Sequence, residues 1–300
     1  MTIAHDIPHI VRLVTRFAPS PTGRLHIGHG WSALTAMDMA RTAGGVLRLR
    51  IEDIDGVRSR PEHVAGIVED LHWLGVVWDG NVVFQSQRLA RYEAALDRLR
   101  AQALVYPCFC TRAEIAAEIA ASGSAPHGPE GSIYPGTCRS LSEGARVERL
   151  ARGDAHCWRI DMGQAVKRAG TLLWQDMDAG EIVARPALVG DVVVARKDAP
   201  TSYHLAATVD DADMGVTHVL RGDDLRAATD IHRLLQALLG LPVPFYRFHP
   251  LLVDQDGKRL AKRSGSVSLA ELREQGMDPA QLCDDLRAHR FPVGIQLASA

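Results

Sequence analysis

A β-branched run, a turn rich in proline and glycine, and an apolar helical pattern follow one another over residues 11–43, and this succession constrains the fold more than any other feature. The turn lies within the string RFAPSPTGRLHIGH at residues 16–29. A strand that leads through a tight turn into a helix presents backbone N–H groups and the positive end of the helix dipole to a polyphosphate. We expect His26 and His29 to share a face of the first helical turn and to donate to phosphate or ribose oxygens. The segment therefore predicts a nucleotide site.

The rest of the chain alternates between strand and helix patterns. Apolar or β-branched runs lie near residues 11–17, 46–51, 156–160, 191–195, 216–221 and 246–253, and helical periodicity fills 27–43, 61–74, 87–103, 229–239, 269–275 and 279–290. Strands separated by helices predict an α/β protein with a doubly wound parallel sheet, in which ligands bind at the carboxyl ends of the strands. Arg16, Glu52 and Arg221 each lie at or just after the end of such a run, so we expect them at one site.

Composition excludes several classes of protein. The chain has 300 residues, 46% of them hydrophobic, which is enough for a sizeable core. The sequence has neither a signal-peptide pattern nor an apolar run long enough to span a bilayer. Five cysteines without framework-like spacing favour a reducing compartment, so we expect a cytoplasmic protein without membrane contact and take a monomer as the default state. Because the net charge is only −2, any RNA contact must come from local patches such as Arg24, Arg48, Arg50 or residues 258–263.

Residues 104–153 interrupt the alternation with a stretch rich in glycine, proline and serine. We therefore divide the chain into a first half of the catalytic domain (1–103), an insertion (104–153), the remainder of the domain (154–240) and a C-terminal segment (241–300). Cys108 and Cys110 form a C-x-C pair, and Cys138 follows 28 residues later, which suggests one structural Zn²⁺ per chain. The alternative is three unrelated buried thiols without a metal. Spacing leaves the fourth ligand open among these residues: His127, Tyr134, His156 and Cys157.

The string at residues 16–29, followed in order by KRLAKRSG at 258–265, resembles the catalytic domain of class I aminoacyl-tRNA synthetases, in particular the glutamyl branch. The resemblance runs from about residue 12 to the helix after Ser268 and implies a Rossmann-type fold with an insertion that approaches the tRNA. It also implies ATP, accompanied by Mg²⁺, bound by the following residues: Thr22, His26, Gly28, His29 and Lys262. Of these, His26, His29 and Lys262 would be catalytic. The basic loop at 259–263 resembles the family's KMSKS motif, although Arg259 replaces the first lysine and Ala261 the first serine.

Activation of an amino acid by this chemistry requires its carboxylate to attack the α-phosphate of ATP. A dicarboxylic amino acid needs a guanidinium for its side chain, because bidentate pairing fits that geometry. The family positions that hold L-glutamate correspond here to Arg16, Ala18, Ser20, Glu52, Tyr203 and Arg221. Simpler interpretations remain open: Glu52 as an ion-pair partner of Arg50, Arg221 as a surface ion pair with Asp223 or Asp224, and Tyr203 as a core residue.

Two further features resemble the queuosine-directed branch of the family. Its C-x-C…Y-x-x-x-C pattern fits Tyr134 and Cys138, which makes Tyr134 the fourth metal ligand by resemblance, and we expect no anticodon-binding domain after residue 300. The resemblance then implies activation of glutamate without RNA and its transfer to queuosine in the anticodon of tRNA(Asp). Three alternatives remain: a truncated glutamyl-tRNA synthetase that charges a 3′ end, a nucleotidyltransferase with a similar HxGH helix, and a non-enzymatic paralogue that only binds RNA.

Overall fold

The computed structural model describes residues 12–56, 58–121, 127–128, 131–258, 260 and 267–298, and of residues 121, 127–128 and 131–132 only the backbone. The strands are β1 Val14–Phe17, β2 Val46–Ile51, β3 Val83–Phe84, β4 Val105–Cys108, β5 His127–Gly128, β6 Gly131–Ser132, β7 Cys157–Ile160, β8 Leu173–Asp176, β9 Gly180–Val183, β10 Val193–Ala195, β11 His218–Gly222, β12 Phe245–His249, β13 Leu252–Asp254 and β14 Ile295–Leu297. The helices are α1 Ile27–Thr42, α2 Pro61–Trp73, α3 Leu89–Ala101, α4 Arg112–Ala121, α5 Glu143–Ala151, α6 Met162–Ala169, α7 Tyr203–Asp213, α8 Arg226–Leu239, α9 Leu269–Glu274 and α10 Pro279–Arg287.

A parallel sheet forms the centre of the fold, as predicted. β1 pairs with β2, β2 with β3, and β11 with β12, each in parallel. A backbone hydrogen bond of 2.9 Å from Thr217 N to Val14 O sets β11 beside β1. The resulting order is β3-β2-β1-β11-β12, with all strands parallel. The chain adds strands to one side of β1 first and to its other side later, and a doubly wound sheet binds ligands at the point where this change occurs.

Two runs expected in the parallel sheet lie elsewhere, which corrects that part of the prediction. The runs near 156–160 and 191–195 form β7 and β10, which pair antiparallel with each other, and β7 also pairs antiparallel with β4. The insertion reverses the chain between β4 and β7, so no right-handed crossover helix joins them as a parallel pair. Strands on both sides of residue 153 thus share one sheet, while the four-part division of the chain stays a prediction.

The run predicted at 246–253 is two strands rather than one. β12 ends at His249, immediately before Pro250, whose missing N–H cannot continue a ladder of hydrogen bonds. β13 begins at Leu252 and pairs antiparallel with β14 near the C-terminus. The C-terminal segment therefore returns to the edge of the cleft described below.

Close packing holds α1 against the sheet and the helices beyond it. Leu34 on α1 and Leu47 and Leu49 on β2 are buried in one apolar cluster. Gly30 lies where a Cβ would come within 2.9 Å of Leu74 Cδ1, so a larger residue here would push the Leu74 side chain aside. None of the helices in the described ranges combines the length and the apolar composition that a bilayer crossing requires.

Candidate active site

A cleft of about 450 Å³ opens at the carboxyl ends of β1, β2 and β11. The structure brings these predicted site residues together on its walls: Arg16, Ala18, Ser20, Thr22, His26, Gly28, His29, Glu52, Tyr203 and Arg221. Lys262, with residues 259 and 261–266 of the basic loop, lies outside the described residues. Two described residues, one in the loop and one after it, reach the site. Leu260, within the loop, lines the cleft, and Ser268, shortly after it, forms a β-bridge with His26.

The two histidines form a reciprocal cap at the start of α1. His26 Nδ1 accepts the N–H of Gly28 at 3.1 Å, and His29 Nδ1 accepts the N–H of His26 at 3.2 Å. His26 has an extended backbone and precedes the helix, which corrects the expectation that both residues lie within its first turn. Because both Nδ1 atoms accept hydrogen bonds, each neutral ring carries its proton on Nε2.

Gly28 makes this arrangement possible. A Cβ at this position would lie 3.1 Å from His26 Cε1 and 3.2 Å from its Nδ1, closer than side chains normally approach. The glycine therefore leaves room for the His26 ring to fold back over the helix N-terminus. The end of α1 then presents imidazole N–H donors and backbone N–H groups at one place, which suits a phosphate.

Arg221 is a buried cation that has no acidic partner among the described residues. Its Nη1 lies 3.4 Å from Tyr203 Oη and 3.4 Å from His232 Nδ1, and its Nη2 donates to Thr229 Oγ1. Within the part of the chain that the structure describes, its Nε has no hydrogen-bond partner and no carboxylate forms an ion pair with it. The surface ion-pair interpretation is wrong, because Arg221 is only 5% exposed. Asp223, one of the two partners considered, pairs with another residue, Arg226. A buried guanidinium of this kind calls for a ligand anion.

The surroundings of Arg221 are uncharged at neutral pH. Burial and the nearby Arg221 charge lower the pKa of His204 to about 4 and hold that of His232 well below its ordinary value. Burial raises the pKa of Tyr203. His232 can therefore accept a hydrogen bond from Arg221 without adding charge. Sequence reasoning missed both histidines, because α7 and α8 carry no local motif that marks them.

A buried network of Arg16, Arg50, Asp211 and Glu52 lies beside Arg221, and Arg50 Nε also lies 3.9 Å from Asp210 Oδ2. Asp211 Oδ1 accepts from Arg16 Nε at 3.1 Å and from Arg50 Nη1 at 2.6 Å, while Arg50 Nη2 donates to Glu52 Oε1 at 3.0 Å. Glu52 is therefore the ion-pair partner of Arg50, as the simpler interpretation held, and it also lines the cleft.

This network shifts the two acidic groups in opposite directions. Burial raises the pKa of Glu52, with the Arg50 charge acting against it. For Asp211 the charges of Arg16 and Arg50 outweigh burial and lower the pKa. Sequence reasoning missed Asp211. The available signal was a pair of acidic residues, 210–211, within an otherwise apolar helical stretch, since buried acids need partners.

A second cavity of about 690 Å³ lies behind Tyr203, which lines both spaces. Its walls come from α4, β7, β10 and the start of α7, and they carry four arginines and two aspartates: Arg58, Arg112, Arg159, Arg196, Asp55 and Asp191. Two of these arginines already pair with Asp55, and Asp191 pairs with Arg139 outside the lining. The lining is therefore net positive and suits an anionic ligand.

Three thiols and a phenol meet in the insertion. The sulfur atoms of Cys108, Cys110 and Cys138 lie within 4.8 Å of one another. Tyr134 Oη lies 3.4 Å from Cys108 Sγ and 3.5 Å from Cys110 Sγ, and accepts the N–H of Cys138 at 2.9 Å. A compact set of thiols on short strands and turns is the donor chemistry that zinc prefers, so these residues fit a structural metal.

The other candidates for a fourth ligand lie differently. His156 Nδ1 is 3.0 Å from Asp154 O, and its ring packs on Phe109 and Trp158. Cys157 lies opposite Cys108 in the sheet but is not among the three thiols that lie within 4.8 Å of one another. The side chain of His127 lies outside the described residues. The geometry favours Tyr134 for this position.

Known proteins are similar to this chain in both sequence and fold. Residues 12–295 match the family of class I tRNA synthetases (E and Q), catalytic domain. The fold is similar to the crystal structure of glutamate-tRNA synthetase from Elizabethkingia anophelis, with a TM-score of 0.78 and 27% identity, over 93% of this chain and 61% of that chain. The chain therefore spans about three fifths of the length of that solved synthetase. It belongs to the family of class I tRNA synthetases of the E and Q type.

Within this family the chain groups with a particular set of relatives. A glutamyl-Q tRNA(Asp) synthetase of Rhodobacter capsulatus is 48% identical over 277 residues, which are 90% of this chain and 98% of that protein. A glutamyl-Q tRNA(Asp) synthetase of Nocardia farcinica is 46% identical over 267 residues, 89% of this chain and 81% of that protein. The resemblance stated from the sequence is thereby confirmed.

Proposed function

We propose that the cleft binds L-glutamate beside ATP, that the two form glutamyl-adenylate without RNA, and that the glutamyl group is then transferred to queuosine in the anticodon of tRNA(Asp). The observation that carries the proposal is Arg221, buried on the cleft wall without an acidic partner in the described part of the chain. A ligand carboxylate supplies the missing charge. The names of the relatives support the choice of glutamate and of the acceptor.

Recognition of the amino acid follows from the charges on the two walls. Arg221 and Arg16 pair with carboxylate, Tyr203 adds a hydroxyl donor, and Glu52 pairs with the α-ammonium. Ser20 and the backbone at Ala18 add hydrogen bonds. Glutamine would leave the Arg221 charge without a counter-charge, and a buried unpaired charge is costly, so the site discriminates against the amide.

Activation places one anion against another. A carboxylate oxygen of glutamate attacks the α-phosphorus of ATP, the bond to the bridging oxygen breaks, and pyrophosphate leaves. The Nε2–H groups of His26 and His29 and the N-terminus of α1 stabilise the phosphate charge, with Thr22 and Gly28 at the same turn. Lys262 adds a cation from the basic loop, and Mg²⁺ would accompany ATP and supply further positive charge to the phosphates.

Transfer requires an acceptor hydroxyl beside the activated carbonyl. The hydroxyl oxygen attacks the glutamyl carbon, AMP leaves, and the hydroxyl proton is lost to solvent. The arginine-lined second cavity suits the phosphates of a single-stranded loop, and Tyr203 forms its border with the cleft. The acceptor would thus approach the adenylate from that side.

A zinc ion held by Cys108, Cys110, Tyr134 and Cys138 would cross-link the insertion. This is a structural role: the ion would hold β4, the loop around Tyr134 and the turn at Cys138 together. Tyr134 also lines the second cavity, so the metal would stabilise a wall of the acceptor side. The substrates support a cytoplasmic location, and we take a monomer as the default state.

Glutamate-dependent ATP–pyrophosphate exchange in the absence of RNA tests the first half of the proposal. We expect exchange with L-glutamate and none with glutamine or aspartate. Arg221→Gln should abolish it, whereas Arg247→Gln, at an exposed position on the neighbouring strand, should leave it intact. No exchange with or without RNA would contradict activation and favour the RNA-binding paralogue.

Labelled glutamate and tRNA(Asp), with and without queuosine, test the second half. We expect incorporation only into the queuosine-bearing tRNA. A second candidate function is 3′-end charging, which is favoured by 39% identity to a glutamate–tRNA ligase of Nitrosococcus oceani over 91% of this chain. Incorporation that is independent of queuosine would support that candidate and contradict the proposed acceptor.

A further inference from the structure

We propose that Asp211 is the positioning residue of the amino-acid site: its buried carboxylate orients Arg16 directly and Glu52 through Arg50. The inference rests on the proposed function. It adds an explanation of how the charged side chains that face the bound amino acid are held in place. Asp211 does not line the cleft, so it acts only through these neighbours.

The first arm fixes Arg16. Its Nε donates to Asp211 Oδ1 at 3.1 Å and its Nη1 to Leu220 O at 3.0 Å, so two edges of the planar guanidinium are held. Among the described residues its Nη2 has no protein partner, and the residue lines the cleft. The group is therefore pre-oriented with one edge available to a ligand carboxylate.

The second arm fixes Glu52. The fully buried Arg50 donates from Nη1 to Asp211 at 2.6 Å and from Nη2 to Glu52 Oε1 at 3.0 Å. Because Arg50 divides its charge among Glu52, Asp211 and Asp210, Glu52 keeps part of its negative potential for an ammonium group. Without Asp211, more of the Arg50 charge would act on Glu52.

The charges of the site then match those of glutamate. Arg16, Arg50 and Arg221 contribute three positive charges, and Asp211 and Glu52 two negative ones. The neighbouring Asp210 lies 3.9 Å from Arg50 and 2.6 Å from Arg88, and counting it together with Arg88 adds one charge of each sign and leaves the balance unchanged. The remaining single positive charge equals the net charge of glutamate with opposite sign. Loss of the Asp211 carboxylate would upset this balance and release Arg16.

Asp211→Asn is the direct test, because it keeps the shape and removes the charge. We expect the KM for glutamate in pyrophosphate exchange to rise roughly 10- to 100-fold, as for loss of a buried hydrogen bond to a charged group. Because Asp211 touches neither ATP nor the reacting atoms, kcat and the KM for ATP should change less than about threefold. Asp213→Asn, on the same helix and paired at the surface with Arg88 and Arg91, is the matched control and should behave like the unsubstituted protein.

A double-mutant cycle with Arg16→Lys separates positioning from general destabilisation. If Asp211 acts through Arg16, the two substitutions together should cost clearly less than the product of their separate effects on the glutamate KM. An unchanged glutamate KM in Asp211→Asn, or equal losses for glutamate and ATP, would overturn the proposal.

Two further measurements keep the test decisive. If the asparagine variant fails to fold, Asp211→Glu moves the carboxylate by one methylene, and an unchanged glutamate KM in that variant would equally overturn the proposal. If the unsubstituted protein shows no exchange, the proposed activation fails. Calorimetric titration with L-glutamate then decides the inference separately, since weaker binding by Asp211→Asn supports it and equal binding overturns it.

Discussion

At the scale of single residues, two buried guanidiniums face the cleft in different surroundings. Arg16 has an acidic partner in Asp211, whereas Arg221 is surrounded by hydroxyl groups, a neutral imidazole and aromatic rings, with its Cζ 5.3 Å from the centre of the Tyr246 ring. Of the two, only Arg221 lacks a counter-charge among the described residues, which supports the proposal that it anchors a ligand carboxylate. Substitution at the two positions should accordingly affect binding through different neighbours.

The sequence could predict the site residues at the ends of strands, but not the residues on helices that contact them. Arg16, Glu52 and Arg221 follow from the rule that parallel strands deliver side chains to one edge. Asp211 and His232 come from the inner faces of α7 and α8, and their relation to the cleft depends on how those helices pack. No local pattern specifies that packing, so only the three-dimensional structure reveals it.

Lys262→Ala tests the basic loop. Because a preorganised donor to the phosphates typically contributes about 3 kcal/mol to the transition state, we expect turnover in pyrophosphate exchange to fall at least about 10²-fold, with a smaller change in glutamate affinity. Lys258→Ala, four residues earlier in the same basic segment, provides the control. Turnover equal to that of the unsubstituted protein would remove Lys262 from the chemistry.

At the scale of secondary-structure elements, the sequence pattern located helices better than strand partners. α1, α2 and α3 begin and end within two residues of their predicted bounds, and α8 begins three residues earlier than predicted. Helical periodicity is a local property, and caps such as the Ser268 capping box mark its limits. Strand direction is not local: β4, β7 and β10 are short, and only the path of the insertion makes them antiparallel.

The predicted zinc site lies within one structural unit, the insertion. We expect one zinc per chain by elemental analysis, and Cys110→Ser should reduce it to near zero and lower the thermal stability of the protein, because the ion would cross-link β4 with the segment around Tyr134 and Cys138. Cys283→Ser, a buried cysteine far along the sequence on α10, should retain the zinc. Equal zinc contents near zero in all three proteins would support the alternative of three unrelated thiols.

At the scale of the whole molecule, burial of His204 and His232 links folding to pH. Both have lowered pKa values in the folded protein, about 4 for His204, so below about pH 6.5 the unfolded chain binds protons that the folded protein does not. The free energy of unfolding should therefore fall as the pH decreases from about 6.5 towards 4, by up to about 1.4 kcal/mol per pH unit for each histidine.

Urea unfolding at pH 6.5 and 5.5 measures this dependence. His204→Gln should reduce the difference between the two values by about 1 kcal/mol, because the unfolded chain then binds one proton fewer at the lower pH. The same difference in His204→Gln as in the unsubstituted protein would show that this histidine is not buried in neutral form.

Tyr203 stands between the two cavities, and that shared border has a consequence for a labile intermediate. A mixed anhydride made on one side of a phenol ring would meet its acceptor only a side chain's width away. It would not have to diffuse through bulk water, where hydrolysis would waste it. The size of the residue at position 203 would then govern how soon the second half-reaction follows the first. A smaller side chain would let the acceptor reach the anhydride faster but would also let more of the anhydride escape.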